Sequence, residues 1–506
     1  MKRGNARMQS HHRRKAGILL PVSSLPSPYG IGTLGEAAYS FLDWLEKAGA
    51  SCWQVLPLGP TGYGNSPYQS YSAFAGNPYL IDLDLLKEQG LLTRRQLDTA
   101  VVPAENPVDY SHVRRTRTVL LRHAFEQWDS HNERFVEFCE RQNDWLEDYA
   151  LFMALKEHFG GRSWREWDHA VRMREQEALT ACRDTFREEM AFHKACQFWF
   201  FEQWKELRRR AEEKGIELIG DIPIYVAEDS ADVWAGRHLF QLDAQGAPRR
   251  VAGVPPDDFS ADGQRWGNPL YDWGVMEQDG FYWWKRRIAA CAQLYDRLRI
   301  DHFIGLVRYY AIPAACPTAV EGTWLPGPGK KLTDAIDLAR GKTGIIAEDL
   351  GVVSPSVREL MRQTGYPGMK VLLFAFGGGA GNPHLPHAHT AGSVVYVGTH
   401  DNDTAAGYAR QVSPEEWRYM REYLGIRRKK DLPWALIRAA YGSVADTAMV
   451  QMQDVLELDN RARMNRPSTV GDFNWSWRMP ADACTDDLAG RLRHLAAIYD
   501  REGEKI

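Results

Sequence analysis

The sequence predicts a (β/α)8 TIM barrel with large helical and loop insertions, and three observations lead to that fold. Eight short β-rich runs occur in order, starting at Gly17, Cys52, Glu217, Leu298, Gly344, Lys370, Ser393 and Thr469. Helical periodicity separates them, and strand–helix–strand is the unit from which parallel sheets are built. Four runs close on acids: Asp221 after Leu218-Ile219-Gly220, Asp301 after Arg299-Ile300, Glu348 and Asp349 after Ile345-Ile346-Ala347, and Asp401 after Gly398-Thr399-His400. Carboxylates gathered at strand ends are what such a barrel offers at its catalytic face. No GxGxxG fingerprint follows the first strand, which counts against an open dinucleotide-binding sheet.

In chain order, the basic opening (Lys2, Arg3, Arg7, Arg13, Arg14, Lys15) reads as a disordered leader over residues 1–16. The catalytic barrel is expected over 17–506. After the first strand, residues 36–49 place Ala37, Tyr39, Phe41, Leu42 and Leu45 at helical spacing and stop at a glycine, a common C-terminal signal. Cys52-Trp53-Gln54-Val55 is the second strand. Two insertions are then expected, at about 60–214 (mostly helical, with a Gly/Pro/Tyr-rich start) and at about 229–282 (loop-rich). The aromatic cluster Phe198, Trp199, Phe200, Phe201 and Trp204 reads as a buried helix face. Residues 371–376 and 394–397 read as further buried strands, and Asn474-Trp475-Ser476-Trp477-Arg478 as the end of the last one. No all-β segment follows Asp401, so no C-terminal β domain is expected.

Composition narrows the function. At 506 residues with 44% hydrophobic and 25% charged residues the chain reads as an ordinary globular protein. A net charge of −4 without a basic stripe argues against nucleic acid. No run approaches the roughly 20 apolar residues of a membrane span. Seven scattered cysteines without CxxC spacing give no zinc site and no disulfide framework, which suits a cytoplasmic, reducing setting. The 18 Trp and 21 Tyr serve core packing for the most part, and those in Gly/Pro/Asn loops offer flat faces for sugar rings.

Three readings of the strand-end acids compete. Structurally, an acid at a strand–helix junction caps the next helix, a role that suits Asp349. An enolase-like site needs carboxylates on a divalent cation with a Lys or His base; His302 and His400 are available, but no lysine lies at a strand end. In glycoside chemistry one carboxylate attacks the anomeric carbon while a protonated one serves the leaving oxygen. Arg299 favours the last. In a strand residues i and i+2 share a face, so Arg299 would hold Asp301 ionised and oriented.

Several segments, in this order, closely resemble the 4-alpha-glucanotransferase (amylomaltase, or disproportionating enzyme) family of glycoside hydrolase family 77. They are Gly220-Asp221-Ile222-Pro223-Ile224-Tyr225-Val226, Arg299-Ile300-Asp301-His302-Phe303, Ala347-Glu348-Asp349-Leu350-Gly351 and Thr399-His400-Asp401-Asn402-Asp403-Thr404. Gln54-Val55-Leu56-Pro57, Asn65-Ser66-Pro67-Tyr68 and Trp266-Gly267-Asn268-Pro269 resemble family segments as well, so the similarity runs from about residue 16 to 479. The resemblance implies a retaining transglycosylase without cofactor or metal. Asp301 is then the nucleophile, Glu348 the general acid/base and Asp401 the transition-state stabiliser. It also implies sugar contacts from Asp221, Arg299, His400, Tyr63, Tyr68, Asp257, Trp266 and Asn268. The implied partners are maltooligosaccharides and α-1,4-glucans, with the chain acting as monomer or homodimer. Departures from the family pattern occur at Pro21-Val22, Ile304 and Ser476. An α-glucan hydrolase and a non-catalytic glucan-binding protein are the alternatives.

Overall fold

Twelve strands organise the computed structural model, which describes residues 14–103, 106–256, 260–351 and 353–503. They are β1 (Lys15–Leu19), β2 (Cys52–Gln54), β3 (Glu217–Pro223), β4 (Arg250–Val254), β5 (Gln264–Pro269), β6 (Arg297–Asp301), β7 (Arg308–Pro313), β8 (Thr323–Pro326), β9 (Gly344–Ala347), β10 (Gly368–Val371), β11 (Ser393–Tyr396) and β12 (Thr447–Gln451). Eight of them form one parallel sheet in the order β10-β11-β12-β1-β2-β3-β6-β9. The Ala347 N–H donates to Pro367 O at 2.9 Å and joins the two outer strands, so the sheet closes on itself. Its strands are almost fully buried, as parallel strands with covered faces are. Among the described residues no helix is long and apolar enough to cross a membrane.

The structure moves several expected elements. The eighth strand is Thr447–Gln451, not a run from Thr469. In Thr447-Ala448-Met449-Val450-Gln451 the Ala, Met and Gln are good helix formers and follow a helical stretch, so the local signal points away from a strand. The segment around Asn474 is instead an irregular turn in which Trp475 adopts a left-handed backbone (φ 60°). The first strand starts at Lys15, two residues before Gly17, and Arg14 donates to the carbonyls of Tyr499 and Tyr441 at 2.8 Å. Residues 14–16 therefore belong to the fold and not to a leader. The strand expected from Lys370 spans Gly368–Val371 and gives way to a 3-10 turn at Leu372–Phe374.

The second insertion is more regular than its Gly/Pro content implied. β4 and β5 join β7 and β8 in an antiparallel sheet, order β5-β4-β7-β8. Since β7 follows directly on β6, this sheet stands beside the end of the strand that carries Asp301. In the first insertion, the helix Arg187–Glu213 buries Phe198, Trp199, Phe200 and Trp204, the helix face that the aromatic cluster implied; Phe201 is half-buried.

One residue far along the chain completes the seam between first and last strands. The guanidinium of Arg501 is wholly buried. It donates to the carbonyls of Tyr441, Lys15, Asp446, Ser443 and Ala445 at 2.7–3.3 Å. These oxygens sit at the start of β1 and just ahead of β12, where a strand pairing begins, and Arg501 shares them with Arg14 at Tyr441 and Ser443 and with the Lys15 N–H at Asp446.

Candidate active site

Three strands set the centre of the site. The parallel register places Asp221 opposite Arg299 and Pro223 opposite Asp301 between β3 and β6. It places Ile300 opposite Ala347 between β6 and β9. Asp221 and Arg299 thus lie side by side, Asp301 projects two residues further on the same face, and Glu348 follows β9 next to it.

Arg299 binds both neighbours. Its Nη1 donates to Asp221 Oδ1 and Oδ2 at 2.8 and 2.7 Å, and its Nη2 lies 2.9 Å from Asp301 Oδ1. Asp221 is fully buried and Arg299 nearly so, whereas the Asp301 side chain is 30% exposed. One oxygen-facing guanidinium edge is thus committed to a structural pair and the other to an acid open to the cleft. Burial raises the Asp221 pKa to about 6, with Arg299 opposing the rise.

Glu348 is held differently. Its Oε2 accepts from the His302 N–H at 2.7 Å and its Oε1 from the Leu350 N–H at 2.8 Å. His302 provides that N–H because it takes a left-handed turn (φ 52°) as β6 ends, a backbone state uncommon outside glycine. A Cβ on Gly305 would come within 2.9 Å of the His302 ring, so the turn is packed tightly. Burial, reinforced by the nearby Asp301 charge, pushes the Glu348 carboxyl up to about 7 against the opposing Arg299 and backbone donors.

The far wall comes from the loops after β11 and β2. His400 is buried and its Nε2 lies 3.4 Å from Asp401 Oδ2. Burial lowers the His400 pKa, but Asp401 more than offsets it and the net shift is upward. Burial of Asp401 is likewise outweighed, by His400 and by Asn465, which holds the carboxyl below its usual range. The Tyr68 ring stacks on His400 at 4.9 Å, and its hydroxyl donates to Asp221 Oδ2 at 3.1 Å.

Not every expected residue joins this group. The Trp266 indole meets the His302 ring edge-on at 4.8 Å, so it borders the centre. Asn268 is buried with its amide spent on the protein, donating to Val226 O at 2.8 Å and accepting from Gln69 at 3.1 Å. Tyr63 is 76% exposed on the loop surface. Asp257 lies outside the described residues. Asp349 does not cap the next helix: Ser354 does, through Val357 N–H, while Asp349 accepts from Met369 N–H at 2.7 Å and ties β9 to β10.

Sequence reasoning missed three participants. Asn465 Nδ2 donates to Asp401 Oδ1 at 2.7 Å, and Arg463 Nη2 donates to the Asp401 carbonyl at 2.7 Å. Trp475 lies 5.7 Å from the Tyr68 ring and 6.0 Å from His400. The left-handed turn that aims Trp475 carries no glycine to announce it.

An (β/α)8 barrel with an arginine-clamped acid, a second acid poised near neutral pH and a third across the cleft defines a protein of glycosidic-bond chemistry. The 4-alpha-glucanotransferase family model matches residues 20–484. The chain belongs to that family, glycoside hydrolase family 77. It is 48% identical to the 4-alpha-glucanotransferase of Thermus thermophilus over 500 residues, covering 96% of this chain and 99% of the relative. It is 45% identical to the chloroplastic/amyloplastic 4-alpha-glucanotransferase DPE1 of Arabidopsis thaliana, over 97% of this chain and 86% of that one. The amylomaltase of Streptococcus agalactiae in complex with acarbose superposes with a TM-score of 0.94 at 39% identity, covering 97% and 100% of the two chains.

Proposed function

We propose that this 4-alpha-glucanotransferase works by double displacement on α-1,4-glucans, with Asp301 as nucleophile and Glu348 as general acid/base. Asp301 attacks the anomeric carbon while Glu348 gives its proton to the departing 4-oxygen. A second glucan's 4-hydroxyl then loses its proton to Glu348 and takes the glycosyl group from Asp301. The observation that carries this reading is the different treatment of two adjacent acids. Arg299 lies on Asp301, and burial keeps the Glu348 proton to about pH 7. The two acids follow neighbouring strands, whose spacing is about 4.8 Å. Neighbouring strands are what the short carboxyl separation of a retaining enzyme requires.

Asp221, Arg299, His400 and Tyr68 would line the reacting glucose, with Asp401 stabilising positive charge at the ring and Trp266 at the rim. Transfer in place of hydrolysis requires acceptor sugars to exclude water, and the aromatic walls supply surfaces for that. Maltotriose alone should give glucose plus a ladder of longer maltooligosaccharides. Products that only shorten would favour the hydrolase instead. The seven cysteines are free thiols, which supports a reducing compartment such as the cytoplasm.

Two further results are expected. Because Glu348 must carry a proton to serve the leaving group, kcat/KM, which follows the free enzyme, should fall about tenfold per pH unit above roughly pH 7. A rate–pH profile flat to pH 9 would remove Glu348 from the role. Among the described residues no group of three His, Cys, Asp or Glu is placed to hold a metal ion. Activity in excess EDTA should therefore match the untreated rate, and a loss reversed by added cation would count against the mechanism.

A further inference from the structure

The loop that carries Tyr68 is held in place by residues distant in sequence. Residues 59–76 leave the barrel after β2 and return to it. The Asn77 N–H donates to Leu58 O at 2.7 Å, so the ends meet, as in an Ω-loop. Within it, Gly62 N–H donates to Gln69 O at 2.8 Å and Tyr71 N–H to Pro60 O at 3.0 Å. Beneath it is a cavity of about 60 Å³, bordered by Tyr68, Ser70, Gly76, Phe200 and Asp221, with space for a few water molecules. Fixing the height of the loop is therefore shared between apolar packing, with Phe74 and Ala75 buried, and polar anchors.

Those anchors come from the insertion. On the helix Arg187–Glu213, Gln197 Oε1 accepts from Gly76 N–H at 2.7 Å while its Nε2 donates to Gly76 O at 2.9 Å. Gln203 repeats the arrangement on Asp82, at 2.7 and 3.0 Å. Both glutamines are buried. A side-chain amide has a donor and an acceptor at one end, so each glutamine satisfies a peptide N–H and C=O of one residue, as a neighbouring strand would. Between them, Phe200 lies so close that a Cβ on Gly76 would come within 2.0 Å of its ring.

We propose that Gln197 is a positioning residue for the transfer reaction: it sets the height of residues 59–76, and through them places the Tyr68 hydroxyl on Asp221. The inference rests on the place of Tyr68 beside the reacting glucose proposed above. Gln197 touches no reacting group and acts only through the loop.

The test is a double-mutant cycle on transfer from maltotriose. Gln197→Met keeps the volume and loses both hydrogen bonds to Gly76, with a longer one to the Tyr149 hydroxyl at 3.4 Å. It should lower kcat/KM by about tenfold to 10²-fold, the scale of a small misplacement at a reacting centre. In a Tyr68→Ala background the same change should cost about twofold or less, since coupled residues are non-additive. Gln203→Met, which frees a residue further from Tyr68, should lower the unfolding midpoint comparably but keep kcat/KM within about threefold. Independent, multiplying losses for Gln197 and Tyr68 would overturn the inference while leaving the mechanism standing. An equal activity loss in Gln203→Met would overturn it too, as a general effect of loosening the insertion. Full activity in Tyr68→Ala would remove the role of Tyr68 and this inference together; the reaction itself is tested separately through Asp301.

Discussion

Asp301→Asn should leave a folded protein whose transfer activity is lower by on the order of 10⁵-fold, the scale of losing a covalent nucleophile. The carboxamide keeps the shape and can still accept a hydrogen bond from Arg299. What disappears is the negative charge that attacks and then releases the glycosyl group. Incubation with maltotriose would show no ladder, while binding of maltooligosaccharides, followed by tryptophan fluorescence, would persist. Residual activity above a few per cent would assign the nucleophile elsewhere. Loss of both binding and cooperative unfolding would show that the residue serves the fold.

Arg299→Met should give the largest loss of stability of any single change near the site. Removing one partner of a buried pair leaves the other charge without compensation, at a cost of about 3–5 kcal/mol. The pH dependence identifies the cause. The Asp221 carboxyl already has a folded pKa of about 6, above the roughly 3.9 of an unfolded aspartate. Between those values the folded state binds more protons than the unfolded state, so this group's contribution to stability falls as pH rises. Without Arg299 the folded pKa moves higher still and the window extends upward. The deficit of the variant should therefore be smallest near pH 4 and grow toward pH 8 in urea unfolding. A deficit independent of pH would mean that lost packing, not the stranded Asp221 charge, is responsible.

The central geometry was legible because it obeys a two-residue alternation. Arg299 and Asp301 share a face in any extended strand, and the structure puts a 2.9 Å contact between them. Strands rich in Val and Ile were legible for the same reason. β12 was not, because Thr447-Ala448-Met449-Val450-Gln451 owes its extended form to neighbours on both sides, β11 and β1. The antiparallel sheet of the second insertion was hidden similarly, its short Gly/Pro-containing strands made by pairing with each other and with β7. The support around Asp401 was out of reach: Arg463 and Asn465 arrive from 62 and 64 residues away in an irregular segment. Asp349 shows the limit of local rules. Its place just ahead of a helix suggested a cap, but its partner is the Met369 N–H in the adjacent strand.

The five carbonyls collected by Arg501 have a bearing on synthesis. Because the opening strand is clasped to β12 by a side chain that lies after both in the sequence, the seam is complete only once that arginine has been translated. Nascent chains halted before residue 501 should stay protease-sensitive near β1. Those halted beyond it on a spacer long enough to clear the ribosome should become resistant. Equal resistance on both sides of that point would mean that the seam shuts without its clasp.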